Sequence, residues 1–160
     1  MWGTLDARER EARRALLSLI LRGGRPPDGE ALAGALGCPC EVAGQLLEAL
    51  AAKGFVVRDS GPGHIVAAYP LSVGPTRHRV TLAGGRTAYA LCAMDALGVS
   101  ALFQTAAAIE TRCPHCDGLI DLEVRDGEVT RRDPPTAAIW YSMADLLERR
   151  IEGLNLSAEH

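Results

Sequence analysis

Glycine stops at Gly23-Gly24, Gly37 and Gly54 cut the first seventy residues into three segments, and between the stops the apolar residues recur at helical spacing. Residues 6–22 carry Ala12, Ala15, Leu16, Leu19 and Ile20 on one stripe. Arg25-Pro26-Pro27 then breaks the chain, and Asp28 is placed to cap a second helix with Ala31, Leu32, Ala35 and Leu36 inward. Residues 41–53 form a third, with Val42, Leu46, Leu47 and Leu50 inward. Gly54-Phe55-Val56-Val57 starts a strand, Asp59 to Gly63 turns it, and His64 to Tyr69 returns.

Three helices followed by a two-stranded ribbon describe a winged-helix-like module over residues 1–75. Residues 76–160 read as a small mixed α/β core, which makes the chain α+β as a whole. In that second half Thr76 to Leu82 alternates as a strand, and Ala83-Gly84-Gly85-Arg86 makes a tight turn. Thr87 is expected to cap a helix running through TAYALCAMDALG. The segment SALFQTAAAIETRC fits helix or strand. Leu119 to Val124 and Val129 to Arg131 form a hairpin about Arg125-Asp126-Gly127-Glu128, and Met143 to Ile151 a last helix.

Charge and composition narrow the function classes. Hydrophobic residues make up 48% of the chain and charged residues 23%, enough for a packed core and against disorder. The formal net charge is −3, and the third helix offers one lysine against two glutamates, so DNA is an unlikely partner. No apolar run is long enough to span a bilayer. The charged start MWGTLDARERE is unlike a secretory signal, which predicts a cytoplasmic, reducing setting. Five cysteines there are expected as free thiols or metal ligands rather than disulfides. The residues give no indication of oligomeric state.

Cys92 and Asp95 are the pair that carries chemistry. Three residues apart on a helix, they share a face. A helix N-terminus lowers a thiol's pKa, whereas a neighbouring carboxylate raises it. The combination suits a carboxylate that takes a proton from the thiol or touches a cation bound there. It is equally compatible with a buried structural cysteine. Cys113-Pro114-His115-Cys116 is a C-x-x-C pair, half a zinc site or a redox dithiol, and soft thiolates select zinc, copper(I) or mercury over hard cations. Its bland alternative is a turn with one inward cysteine. Cys38-Pro39-Cys40 reads as a turn beside a helix cap. His64 and His78 receive no role, and Tyr89 is core or pocket lining.

The stretch GGRTAYALCAMDALGVSALFQTAAAIETRC resembles the catalytic segment of the organomercurial (alkylmercury) lyases. Tyr89, Ala90, Cys92, Ala93, Asp95 and Leu97 match that family's Tyr-Ala-x-Cys-Ala-x-Asp-x-Leu run, and Cys113 matches a later cysteine. The approach LSVGPTRHRVTLAGGR and the N-terminal module are similar too, so the likeness covers roughly residues 10–130. The resemblance implies that Cys92 captures an organomercurial as thiolate and that Asp95 relays a proton to the carbon leaving mercury. Cys113 matches a cysteine the family uses mainly structurally. The family's second catalytic cysteine lies further on, and here no cysteine follows Cys116, so Cys116 is the candidate substitute. The expected soft-metal set is therefore Cys92, Cys113 and Cys116, with Cys92, Asp95 and Cys116 catalytic. No cofactor is required, and the metal (mercury, or zinc or copper) enters as substrate, product or ligand.

Three readings follow. A compact lyase would break the carbon–mercury bond; a binding protein would keep the thiol site without turnover; a winged-helix metal-responsive regulator would couple thiols to DNA.

Overall fold

The computed structural model describes residues 4–23, 26–60 and 64–139. The helix expected at Met143 to Ile151 lies outside the described residues. The three N-terminal helices and the hairpin come in the expected order: α1 (Ala7–Arg22), α2 (Gly29–Leu36), α3 (Cys40–Ala52), then β1 (Val56–Arg58) and β2 (Ile65–Ala68). A capping box starts α1. The Asp6 carboxylate accepts from the Glu9 N–H at 2.8 Å, and Glu9 accepts from the Asp6 N–H at 2.7 Å. Glu9 is buried and its carboxylate receives Lys53 Nζ at 2.6 Å, tying α1 to the end of α3.

The inward stripes are rotated from those expected. Leu17 and Leu21 are buried on α1 where Ala15 and Leu19 are only partly covered. On α2 Ala33 is buried rather than Ala35, and on α3 Ala43 rather than Val42. Periodicity finds an apolar face to within one neighbouring row; the partner helices choose which row is covered.

Five further strands, β3 (Leu71–Ser72), β4 (His78–Leu82), β5 (Thr87–Ala90), β6 (Ala107–Arg112), β7 (Leu119–Arg125), and a sixth, β8 (Glu128–Asp133), join β1 and β2 in one antiparallel sheet. Its order is β1-β2-β3-β5-β4-β6-β7-β8. The fourth helix, α4 (Ala93–Phe103), connects β5 to β6. Because β4 lies antiparallel between β5 and β6, those two strands run parallel to each other, and α4 is the crossover packed on their face. Alternation sets that face: Val80 and Leu82 of β4, Ala88 and Ala90 of β5, Ala107 and Ile109 of β6 are buried, against Ala96 and Val99 of α4.

Two expectations change here. Thr87 does not cap a helix: residues 87–90 are strand, paired on both sides with β3 and β4. Ladder hydrogen bonds on two edges outweigh the helix propensity of an alanine-rich run. The ambiguous segment divides, its first part ending α4 and its last part forming β6, whose burial alternates strictly.

Candidate functional site

The crossover builds the site. In a β-α-β unit the connecting helix begins where the first strand ends, so the α4 N-terminus sits at the carboxyl ends of β5 and β6. Cys92 is the α4 N-cap residue, in extended conformation, two positions beyond the end of β5. Cap residues offer an acceptor to the free N–H groups of the first turn, and here a sulfur takes that place: the Asp95 N–H donates to Cys92 Sγ at 3.4 Å. The thiol in turn donates to Asp95 Oδ2 at 3.1 Å. The two side chains are thus joined reciprocally rather than merely facing the same way.

Electrostatics keep the proton on sulfur. The Cys92 pKa is pushed up to about 11, first by desolvation, against which the backbone N–H of Asp95 works, and then by the Asp95 carboxylate itself. Burial also raises the Asp95 pKa, opposed by its hydrogen bonds with Cys92. The helix N-terminus does not win: loss of hydration and a carboxylate neighbour outweigh it. Cys92 nonetheless keeps a solvent-exposed edge, so an incoming electrophile reaches it.

The same end of the sheet carries the C-x-x-C pair. His78 pairs with Ala90 across β4–β5, and Arg79 with Glu110 across β4–β6, which puts His78 beside Thr111. The row is closed by a hydrogen bond of 2.8 Å between Thr111 Oγ1 and His78 Nδ1. Cys92 lies two residues beyond Ala90, and Cys113 two beyond Thr111, on strands one apart. With neighbouring strands about 4.8 Å apart, the two exits are on the order of 10 Å from each other. Thr76 anchors the entrance of β4 between them, donating to the Ala90 carbonyl at 2.6 Å.

Cys113 is held differently from Cys92. The backbone N–H groups of Cys116 and His115, and the Cys116 thiol, hydrogen-bond its sulfur and lower its pKa, with a smaller contribution from the Arg77 cation. Cys116 is exposed and Cys113 half-buried; all five cysteines are free. Among the described residues no three His, Cys, Asp or Glu side chains stand together as a metal cage. The site is a thiol–carboxylate pair and a dithiol turn at one sheet end, not a preformed polydentate centre.

The other candidates lie elsewhere. Tyr89 points to the opposite face, in register with Arg79. Cys38 packs partly against the helical core and Cys40 begins α3, with Pro39 as N-cap. His64 is exposed near Asp59. Sequence reasoning passed over His78 and Thr111. The signal was available: His78 alternates with Val80 and Leu82, so it belongs to the buried face and needs a partner there. Burial, and then the Arg77 cation, lower its pKa.

A profile of the MerB alkylmercury lyase family matches residues 71–150, half of the chain and all of the β5–α4–β6 unit. The chain belongs to the alkylmercury lyase family. Among solved structures it is similar to the mercury-bound form of MerB2, with 26% identity and a TM-score of 0.60. That match takes in 79% of this chain and 61% of the MerB2 chain, so this lyase-family protein spans under two thirds of its structural relative. Curated proteins give no match. Within the described residues no helix is long and apolar enough to cross a membrane.

Proposed function

We propose that this alkylmercury lyase family member captures an organomercurial at Cys92 and uses Asp95 to carry a proton to the carbon that leaves mercury. The observation that carries this reading is the thiol-to-carboxylate hydrogen bond of 3.1 Å at the α4 N-cap. A thiol with pKa about 11 is protonated at neutral pH, so it must lose its proton as mercury binds, and the hydrogen-bonded carboxylate is the base in contact with it. Desolvation, which holds the Asp95 pKa up, makes the same group a willing donor in the next step.

The steps balance. An organomercury cation exchanges for the Cys92 proton, which passes to Asp95, and a mercury–sulfur bond forms. A second thiol then binds mercury, Asp95 returns the proton to carbon, and the carbon–mercury bond breaks. The products are a hydrocarbon, mercury(II) on two sulfurs and the second thiol's proton. Cys116 is the sulfur we assign to that second role, with Cys113 beside it; its exposure suits a thiol that must reach a ligand already on Cys92. Mercury is substrate and product here, and no cofactor enters. Free thiols fit a reducing, cytoplasmic setting.

The N-terminal helices we read as a winged-helix-like packing module rather than a DNA reader. Its one lysine on the third segment is already engaged by Glu9. With no other basic residue on that segment, the phosphate backbone has little to bind there.

The test measures mercury bound per chain and hydrocarbon released from an organomercurial in excess thiol. Cys92→Ser is expected to abolish hydrocarbon release and to remove one bound organomercurial per chain, because a hydroxyl is a hard, weak ligand for a soft metal. Asp95→Ala is expected to keep capture but slow release by about a hundredfold or more, the cost of a lost general acid. Capture without release by the unaltered protein would favour a binding protein over a lyase. Undiminished capture by Cys92→Ser would refute the reading.

A further inference from the structure

The β6–β7 connection is more ordered than a simple turn requires. The Cys113 N–H donates to the Gly118 carbonyl and the Asp117 N–H to the Cys113 carbonyl, both at 2.9 Å, closing the loop on itself. Arg112 Nη1 clips it from the strand side, donating to the Asp117 carbonyl at 2.9 Å. Asp117 adopts the left-handed conformation (φ 56°) that turns the chain back into β7. Inside this loop the His115 and Cys116 N–H groups and the Cys116 thiol converge on the Cys113 sulfur. The second sulfur packs against the end of the loop: a Cβ at Gly118 would sit 3.4 Å from Cys116 Sγ, an ordinary contact distance.

We propose that the Cys113-Pro114-His115-Cys116 turn is a self-sufficient two-sulfur chelate for a soft metal ion, and that it holds mercury(II) without Cys92. Convergent sulfurs with backbone N–H donors already aimed at one of them need little rearrangement to become a thiolate pair. A tetrahedral zinc site needs four ligands. Among the described residues no third or fourth donor joins the turn. Mercury(II) is satisfied by two thiolates. Binding forms two mercury–sulfur bonds and releases two thiol protons to water; no electron is transferred and no oxidant is needed. Since Cys92 opens on the same sheet end, the chelate is placed to take over an ion released there. Its existence does not depend on chemistry at Cys92, which is why the probe is inorganic.

The experiment loads the full chain with one equivalent of mercury(II) chloride, adds a large excess of the monothiol β-mercaptoethanol, desalts, and measures mercury retained. Cys38→Ser/Cys40→Ser serves as the background, removing the other thiol pair, with circular dichroism confirming each variant's fold. A chelate should resist the monothiol by on the order of a hundredfold more than one thiol can. Retention is expected in the background and in its Cys92→Ser derivative, and loss in the Cys116→Ser and Cys113→Ser derivatives. Cys116 is exposed, so its replacement does not disturb the core. Loss in Cys92→Ser equal to that in Cys116→Ser would overturn the proposal in favour of one shared site. Retention in Cys116→Ser would overturn it outright. Organomercurial capture by the same Cys92→Ser chain tests the lyase reading separately.

Discussion

At the β5–α4 corner the Cys92 sulfur meets a carboxylate; in the β6–β7 turn the Cys113 sulfur meets backbone N–H groups. Both thiols leave the same end of one sheet, on parallel strands separated by β4. Yet the first has its pKa raised to about 11 and the second has its pKa lowered. Proximity to a helix N-terminus would have ranked them the other way, since only Cys92 has one. The difference teaches that the hydrogen-bond partner and local hydration decide a thiol's state before the helix dipole does. It also gives the two regions complementary uses: a protonated thiol coupled to a carboxylate can move a proton, and a turn rich in N–H donors can hold a thiolate.

The most disruptive way to break this comparison is to remove the floor under both regions. Ile109 is 1% exposed in β6, the strand leading to Cys113, within the core that α4 covers. Ile109→Ala is expected to cost about 2–5 kcal/mol in denaturant unfolding. In chains that remain folded the ranking of the two thiols should survive, because it is set by local hydrogen bonds. A reversal of their reactivities would show that the sheet, not the partners, sets the difference.

Thiol reactivity tests the contrast directly. At pH 8 a thiol with pKa about 11 is thiolate in about one molecule per thousand. Iodoacetamide with peptide mapping should therefore label Cys113 before Cys92, by on the order of tenfold or more, the greater nucleophilicity of a basic thiolate offsetting part of the deficit. Equal labelling would remove the electrostatic argument for a proton stored on Cys92. Asp95→Asn sharpens the same point. Removing the charge should lower the Cys92 pKa and raise its labelling several-fold at pH 8, each unit of pKa being worth tenfold in thiolate. Full equality with Cys113 is not expected, since desolvation rather than Asp95 is the larger cause.

Much of this arrangement can be read before folding is known, and the part that cannot is instructive. The first three helices, the β4 strand and the β7–β8 hairpin follow from glycine stops and alternation, and the placing of Cys92 and Asp95 on one side from spacing alone. The boundary inside TAYALCAMDALG does not follow. Its first four residues are strand only because β3 and β4 flank them, and the residues opposite Ala90 on those strands, Leu71 and His78, stand 19 and 12 positions before it in the chain. The consequence is chemical. Cys92 becomes the cap of a helix rather than a residue inside one, and its sulfur becomes an acceptor for the Asp95 N–H. Likewise the approach of Cys113 to the same sheet end depends on strand order, which local pattern does not encode.

The smallest expected effect concerns the pair lying between the two regions. His78 and Thr111 share a 2.8 Å hydrogen bond on the row that separates the two strand exits. Burial first, and the Arg77 cation second, lower the His78 pKa below its ordinary value of 6.5. A histidine whose folded pKa lies below its unfolded one binds its proton more readily when unfolded. Its contribution to stability is therefore complete above the unfolded pKa and is lost as pH falls from about 6.5 through the folded value. One such group changes stability by at most about 1.4 kcal/mol per pH unit. Denaturant unfolding at pH 7.5 and at pH 5.5 should show this loss in the unaltered protein and a smaller loss in His78→Gln, which cannot take up the proton. Because the row stands between the corner and the turn, acid should loosen both together: labelling of Cys92 and of Cys113, each corrected for its own thiolate fraction, should rise in parallel below pH 6.5. A rise at one thiol alone would show that His78 supports only that side, and the two regions would then be mechanically independent despite sharing a sheet.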